Sequence, residues 1–363
     1  MIKLFDPHFD KNEKKAILDV LESKVWASGA GTGKVSEFET EFNRYIGSDE
    51  CIALNSGTAA LHLALMQMDL KNKEVLVPSL TFVSTVHAVS YAGAKPVFVD
   101  IDEDTLCLGT DDLRKKISKK TSLIMPVHFG GIPCNLDEIK KISQEHKIAI
   151  IEDAAHACGS KFAGKNIGTH SDAVCFSFHP VKNLSMPTGG AITLNGKFTE
   201  KRKKLLKSLR WCGIDNRKGI FYDVPRLGLN YYMNEFSAAI GLQQLKKLDS
   251  MNKRRRSIAK MYHSGILLDN KTPISEESSY HLYWIRVKRR SEFIRFMNKS
   301  GIEVGVHYRP VHLMSSYKSS RSLPVTESVW PELVSIPMHV NLNDSQIKYI
   351  IEKINEYEGK SRN

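Results

Sequence analysis

Between residues 49 and 195, short apolar runs recur at 51–55, 74–77, 96–101, 122–127, 147–153, 172–178 and 190–194, most of them separated by segments with helical periodicity. Strands joined through helices run parallel, so the spacing predicts βαβ units and a largely parallel sheet covered by helices. The last two runs stand too close for a helix between them. From 197 to about 265 the pattern turns helical, and 234–261 carries Phe236, Ile240, Leu242, Leu245 and Leu248 at helical spacing, a segment long enough to join two lobes. Beyond Pro273 the chain reads as a strand at 281–287, a helix at 292–299, a strand at 303–307 and a helix at 344–356. The expected organisation is an α/β protein with a large mainly parallel-sheet domain over 1–250, N-terminal segment included, and a small C-terminal α+β domain over 251–363. Residues 359–363 are expected to form a disordered tail.

A 363-residue chain that is 42% hydrophobic is ordinary for a globular protein of two lobes. Lys and Arg outnumber Asp and Glu by 52 to 40, a net charge of +12. The basic runs 201–204 and 253–256 lack interleaved aromatics and lie in amphipathic helical stretches, so they read as solvated helix faces and not as a nucleic-acid surface, leaving attraction for an anionic small substrate open. The longest uncharged stretch, 75–94, contains Pro78 and His87 and reads as core, so no membrane partner is expected. No secretory signal is expected in the acid-containing first 15 residues. The six cysteines form no C-x-x-C pair, which removes a zinc ribbon and a redox couple and leaves reduced thiols in a cytoplasmic chain, with no metal site.

Candidate chemistry gathers at the ends of the expected strands. The run 147–153 ends in Glu152-Asp153, where a parallel sheet presents ligands, so Asp153 can meet a cationic atom or simply cap the next segment. The run 172–178 leads into His179-Pro180-Val181-Lys182-Asn183 and then Thr188-Gly189-Gly190. A lysine just past a buried strand can be desolvated into a nucleophile, although most loop lysines face water; Ser177, His179 and the glycine pair give this one room and polar company. At Asn55-Ser56-Gly57-Thr58 a strand end opens a helix whose N–H groups suit an anion such as phosphate, or are simply capped by the hydroxyls. Phe82 offers a flat face at another strand end, or packs in the core. Taken together, a phosphate cradle, an aromatic face, an acid for a pyridinium nitrogen and a lysine for a Schiff base are what pyridoxal 5′-phosphate requires.

The stretches Ser56-Gly57-Thr58-Ala59-Ala60-Leu61, Thr81-Phe82, Glu152-Asp153-Ala154-Ala155-His156-Ala157, Phe176-Ser177-Phe178-His179-x-x-Lys182-Asn183 and Gly228-Leu229-Asn230-Tyr231-Tyr232-Met233-Asn234-Glu235 resemble the DegT/DnrJ/EryC1/StrS sugar aminotransferases, pyridoxal phosphate enzymes of fold type I. The resemblance runs from about Trp26 to His339. It implies that Lys182 carries the cofactor, that Asp153 holds its ring nitrogen protonated, that Phe82 stacks on the ring and that His156 sits near the phenolic oxygen. Gly57, Thr58 and Ser177 would bind the phosphate, with Asn230 reaching it from a partner subunit in a homodimer with shared active sites. The implied reaction moves an amino group from an amino acid, L-glutamate by family analogy, to a keto-sugar joined to a nucleotide, in amino-sugar or glycan biosynthesis. Two positions depart from the family pattern: Pro187-Thr188 replaces Gly-Glu before the glycine pair, and Tyr232 replaces an arginine. Both bear on sugar specificity. Relatives with histidine in place of the lysine become dehydratases or deoxygenases, a branch that Lys182 argues against. A lyase on the same cofactor and a DNA-binding regulator on the same fold are the alternatives.

Overall fold

The computed structural model describes residues 1–196, 199–318 and 322–362. Seven strands form the central sheet: β1 Glu50–Leu54, β2 Glu74–Pro78, β3 Lys95–Val99, β4 Thr121–Ile124, β5 Ala149–Asp153, and, after the short ladder of β6 Lys161–Phe162 with β7 Lys165–Asn166, β8 Ala173–Ser177 and β9 Gly190–Leu194. Their spatial order is β1-β9-β8-β5-β4-β2-β3. Only β9 runs antiparallel to its neighbours β1 and β8. The twelve residues between β8 and β9 hold no helix, so β9 returns beside its predecessor instead of crossing over.

Strand residues alternate between two cores. In β1, Cys51 and Ala53 face one with Phe38, Phe42, Ile139 and Leu242, while Ile52 and Leu54 face the other with Leu61, Leu65, Val89 and Leu206. Both faces are therefore apolar, as a helix-covered parallel sheet demands. The helix Glu235–Gly265 supplies Leu242, Leu248 and Met251 to the first core and Ile258 and Tyr262 to a third, built with Tyr283, Phe293, Val334 and Ile350. The boundary expected at 250/251 thus falls inside one continuous helix. The third core backs an antiparallel pair, β12 Tyr283–Arg286 with β13 Leu333–Ile336.

Several expectations are corrected here. Residues 211–234, expected to be helical, contain the hairpin β10 Asp215–Lys218 with β11 Phe221–Asp223, followed by an extended stretch. Pro225 and the glycines Gly213, Gly219 and Gly228 explain this, since none suits a helix interior and Gly213 and Gly219 adopt positive φ. The run 303–307 forms no strand: Gly305 bridges to Ser335, and the Glu303 N–H donates to the Ile2 carbonyl at 2.9 Å. The last helix extends from Asp344 to Arg362, through the expected tail, and Asn363 lies outside the described residues. Arg255, expected on a solvated face, is buried, its guanidinium donating to the carbonyls of Met338 at 2.6 Å and Tyr280 at 3.2 Å. No described helix is long and apolar enough to cross a membrane.

Candidate active site

Because β1, β2, β4, β5 and β8 share one direction, their carboxyl ends lie along one edge of the sheet. That edge and the C-terminal unit enclose a cavity of about 260 Å³. Gly57, Thr58, Phe82, Asp153, His156, Ser177 and Lys182 all line it, joined by His281, His307 and Tyr308 from the C-terminal unit.

At one end of the cavity the helix Gly57–Met66 starts. Ser56 caps it, its Oγ accepting from the Ala59 N–H at 3.1 Å, and the N–H groups of the first turn point past Gly57 and Thr58. A Cβ at Gly57 would stand 2.7 Å from the Cβ of Ser177, so glycine is what lets this helix abut the end of β8. Gly190 has the same role beneath, where a Cβ would lie 2.3 Å from the Ser56 carbonyl oxygen. Thr58 Oγ1 stands 2.9 Å from Ser84 Oγ, and Thr58 is exposed at the rim, where its rotatable hydroxyl can turn its one proton to an anion. The result is an anion cradle of backbone N–H groups and the hydroxyls of Thr58 and Ser177.

Deeper in, Asp153 ends β5 and is only 3% exposed. One carboxylate oxygen accepts from the Ala155 N–H at 3.0 Å, the other from Thr85 Oγ1 at 2.8 Å. The Ala155 contact is of the capping kind, so the capping and cavity readings of this residue coexist. Burial pushes the Asp153 carboxyl up, against those two hydrogen bonds and the charge of Lys182. Lys182 sits on the cavity wall in the loop after β8, its backbone N–H donating to the His179 carbonyl at 2.8 Å. The protein packed around its amine lowers the pKa from 10.5 to about 7, opposed by Asp153. At neutral pH a large share of Lys182 is therefore free amine, a nucleophile and a base.

His156 is buried and its tautomer is set by its neighbours. Its Nδ1 accepts from the Gly130 N–H at 3.3 Å, so the proton rides on Nε2, 3.1 Å from the Tyr308 hydroxyl. Burial and then the Lys182 charge hold its pKa well below 6.5. Phe82 is 53% exposed, with its ring centroid 5.7 Å from that of Tyr308, which places it at the cavity mouth and not in the core. Burial, with Lys182, brings His307 to about 4; its Nδ1 lies 2.9 Å from Ser335 Oγ. His281, His307 and Tyr308 were missed by sequence reasoning. More than 95 residues separate them from Lys182, and only the histidines recurring beside the expected strands of the second unit hint at them.

Asn230 does not line this cavity. It is exposed, paired as a bridge with Trp211, and its carbonyl accepts from Asn55 Nδ2 at 3.3 Å. It borders a neighbouring recess that shares Ser56, Thr58 and Thr188 with the cavity. Thr188, one of the two departures, donates from Oγ1 to the Asn55 carbonyl, and Tyr232 bridges to Leu54. Among the described residues no cluster of three or more His, Cys, Asp or Glu could hold a metal ion. The anion cradle, the buried carboxylate and the depressed amine together fit pyridoxal 5′-phosphate at its phosphate, ring nitrogen and aldehyde.

Comparison with known proteins is consistent over the whole length. Residues 7–355 match the model of the DegT/DnrJ/EryC1/StrS aminotransferase family. The GDP-perosamine synthase of Escherichia coli O157:H7 is 32% identical over 366 residues, 98% of each chain. Spr1654 of Streptococcus pneumoniae, described as a sugar aminotransferase and solved in its PLP form, superimposes with a TM-score of 0.93 at 29% identity over 98% of both chains. Its PMP form gives the same TM-score. PseC of Helicobacter pylori, an aminotransferase of pseudoaminic acid biosynthesis, gives 0.92 at 26% identity over 98% of this chain and 99% of its own.

Proposed function

Because the chain belongs to the DegT/DnrJ/EryC1/StrS aminotransferase family, and with it to the pyridoxal phosphate-dependent sugar aminotransferases, we propose that it moves the amino group of L-glutamate to a keto-sugar joined to a nucleoside diphosphate. The reaction would run in the cytoplasm and serve amino-sugar or glycan synthesis. When bound, the cofactor supplies an electrophilic aldehyde and a protonated ring into which negative charge at the reacting carbon can spread.

The protein's part divides among the residues described. The first-turn N–H groups at Gly57 and Thr58, with the Thr58 and Ser177 hydroxyls, hold the phosphate end. Asp153, whose carboxylate form is favoured by the hydrogen bonds from Ala155 and Thr85, would hold a proton on the ring nitrogen. Phe82 covers the ring at the mouth, and neutral His156 donates near the phenolic oxygen. Lys182 would hold the aldehyde end, and its free amine is the base that would take a proton from the substrate carbon. The two substrates take turns at this site, so the kinetics are ping-pong.

Asn230 we assign to the phosphate of a neighbouring site in a homodimer. Two features support this: Asn230 lies outside the cavity of its own chain, and the nearby hairpin and the stretch after it leave Ile220, Phe221, Tyr222 and Leu227 exposed, apolar surface that a second copy would cover. The net charge of +12 suits a diphosphate substrate.

The observation that carries the assignment is the Lys182 amine, held near a pKa of 7 in one cavity with buried Asp153 and the Gly57 cradle. Borohydride reduction of the purified protein with pyridoxal phosphate, followed by peptide mapping, should place the label on Lys182 and nowhere else, and Lys182→Ala should abolish it. A label on another lysine, or none, refutes the assignment.

A further inference from the structure

His281 has a position that the assignments above do not use. It lies two residues before β12 and is 1% exposed; its Nε2 stands 3.3 Å from Lys182 Nζ. Among the described residues nothing pairs with its Nδ1. The ring is held in place, with Phe5 stacked at 5.7 Å between centroids and His156 at 4.5 Å, tilted by 43°. A buried polar ring that commits its one contact to the lysine amine is costly to keep, and that cost points to a role for the contact.

We propose that His281 is a positioning residue for Lys182: its Nε2 accepts a hydrogen from the amine and turns the amine's lone pair toward the cavity. The inference rests on Lys182 being the cofactor-linked lysine. The direction of the hydrogen bond follows from the donors available. An amine has an N–H to give in either protonation state, whereas an imidazole could donate to it only while the amine is neutral. The groups facing the ring from the surrounding elements are Lys182, His156, His307 and Arg255, and none of them is an acid. Burial first, then the Lys182 charge, holds His281 well below 6.5, so the ring stays neutral and keeps an acceptor. Asp153 faces the same amine from the end of β5. Lys182 therefore has a counter-charge acting on its amine and a fixed acceptor 3.3 Å from it. An amine that is freed and recaptured in every cycle must return to one place, and His281 defines that place.

The contact can be read without turnover. In cofactor-free protein labelled with ¹⁵N-histidine, the His281 ring, assigned by its loss in His281→Gln, should show an unprotonated Nε2 and a proton on Nδ1. The Nε2 shift should titrate with Lys182 and lose that titration in Lys182→Met. A protonated Nε2, or a shift indifferent to Lys182→Met, overturns the proposal. In the loaded enzyme His281→Leu should lower kcat by about 10²-fold, the order of loss for a misplaced reacting group, with the donor KM little changed. His281→Gln, whose amide oxygen can accept the same hydrogen, should restore much of it. Equal loss in the two variants, or a loss confined to KM, also overturns it. Failure of borohydride to mark Lys182 would remove the cofactor assignment and leave the nitrogen shifts as they are, so the two failures are separable.

Discussion

Asp153→Asn isolates the electrostatics of the site, because it removes a charge and leaves the volume unchanged. Two forces act on the Lys182 amine: burial drives its pKa down from 10.5 to about 7, and Asp153 restrains that fall. Without the charge the pKa drops further. An opposite charge in the same cavity is worth about tenfold or more in proton affinity. At pH 6 the neutral fraction of Lys182 should then rise from about 9% to about 50%, while at pH 9 it is near complete in both proteins. The assay is competitive acylation of cofactor-free protein with acetic anhydride, read at the Lys182 peptide by mass spectrometry from pH 5 to 11. The expected result is a midpoint about 7 in the wild type, a lower one in Asp153→Asn, and acylation at pH 6 about five times faster in the variant. A wild-type midpoint near 10 would refute desolvation of the amine; an unchanged or raised midpoint in the variant would refute the counter-charge. The loaded variant should bind cofactor yet lose at least about 10²-fold in turnover, since an amide cannot hold the ring nitrogen protonated.

Gly57→Ala puts a methyl group 2.7 Å from the Ser177 Cβ, so the helix start and the end of β8 must separate. The cost should be about 1–3 kcal/mol in urea unfolding together with weaker cofactor binding, and unchanged values in both measurements would show that the cradle is not close-packed. Mixing Lys182→Ala chains with Asn230→Ala chains should give more activity than either parent, because a mixed dimer gathers both lesions in one site and leaves the other whole. If exchange is demonstrated, Asn230→Ala alone is impaired and no gain appears, the shared-site arrangement fails.

Much of the large unit was readable from local pattern. All seven apolar runs between 49 and 195 became strands of one sheet, because a strand buried on both faces must be apolar along its length. Lys182, Asp153, Ser177 and Gly57 were readable for a related reason: a parallel sheet brings the carboxyl ends of its strands to one edge, so residues at those ends meet however far apart they lie in sequence. The family motifs then supplied the roles that these types of residue could play.

Other features depend on contacts between distant segments, which periodicity does not encode. The insertion of β9 between β1 and β8 is a choice of neighbour made by the whole sheet. Residues 211–234 were misread because basic and apolar residues at helical spacing say nothing of the turns that the glycines impose. Arg255 looked like one cation of a solvated run until the third core closed over it. His281, His307 and Tyr308 are unremarkable in their own segments and gain meaning only where the C-terminal unit meets the sheet edge. The sequence by itself thus determined the central strands, the cofactor chemistry and the candidate residues at the strand ends, all properties of residues and their near neighbours. The tertiary structure decided the strand order, the packing that brings Lys182 to a pKa of about 7 and the ring that holds its amine, because burial and hydrogen-bond partners exist only once remote parts of the chain are packed together.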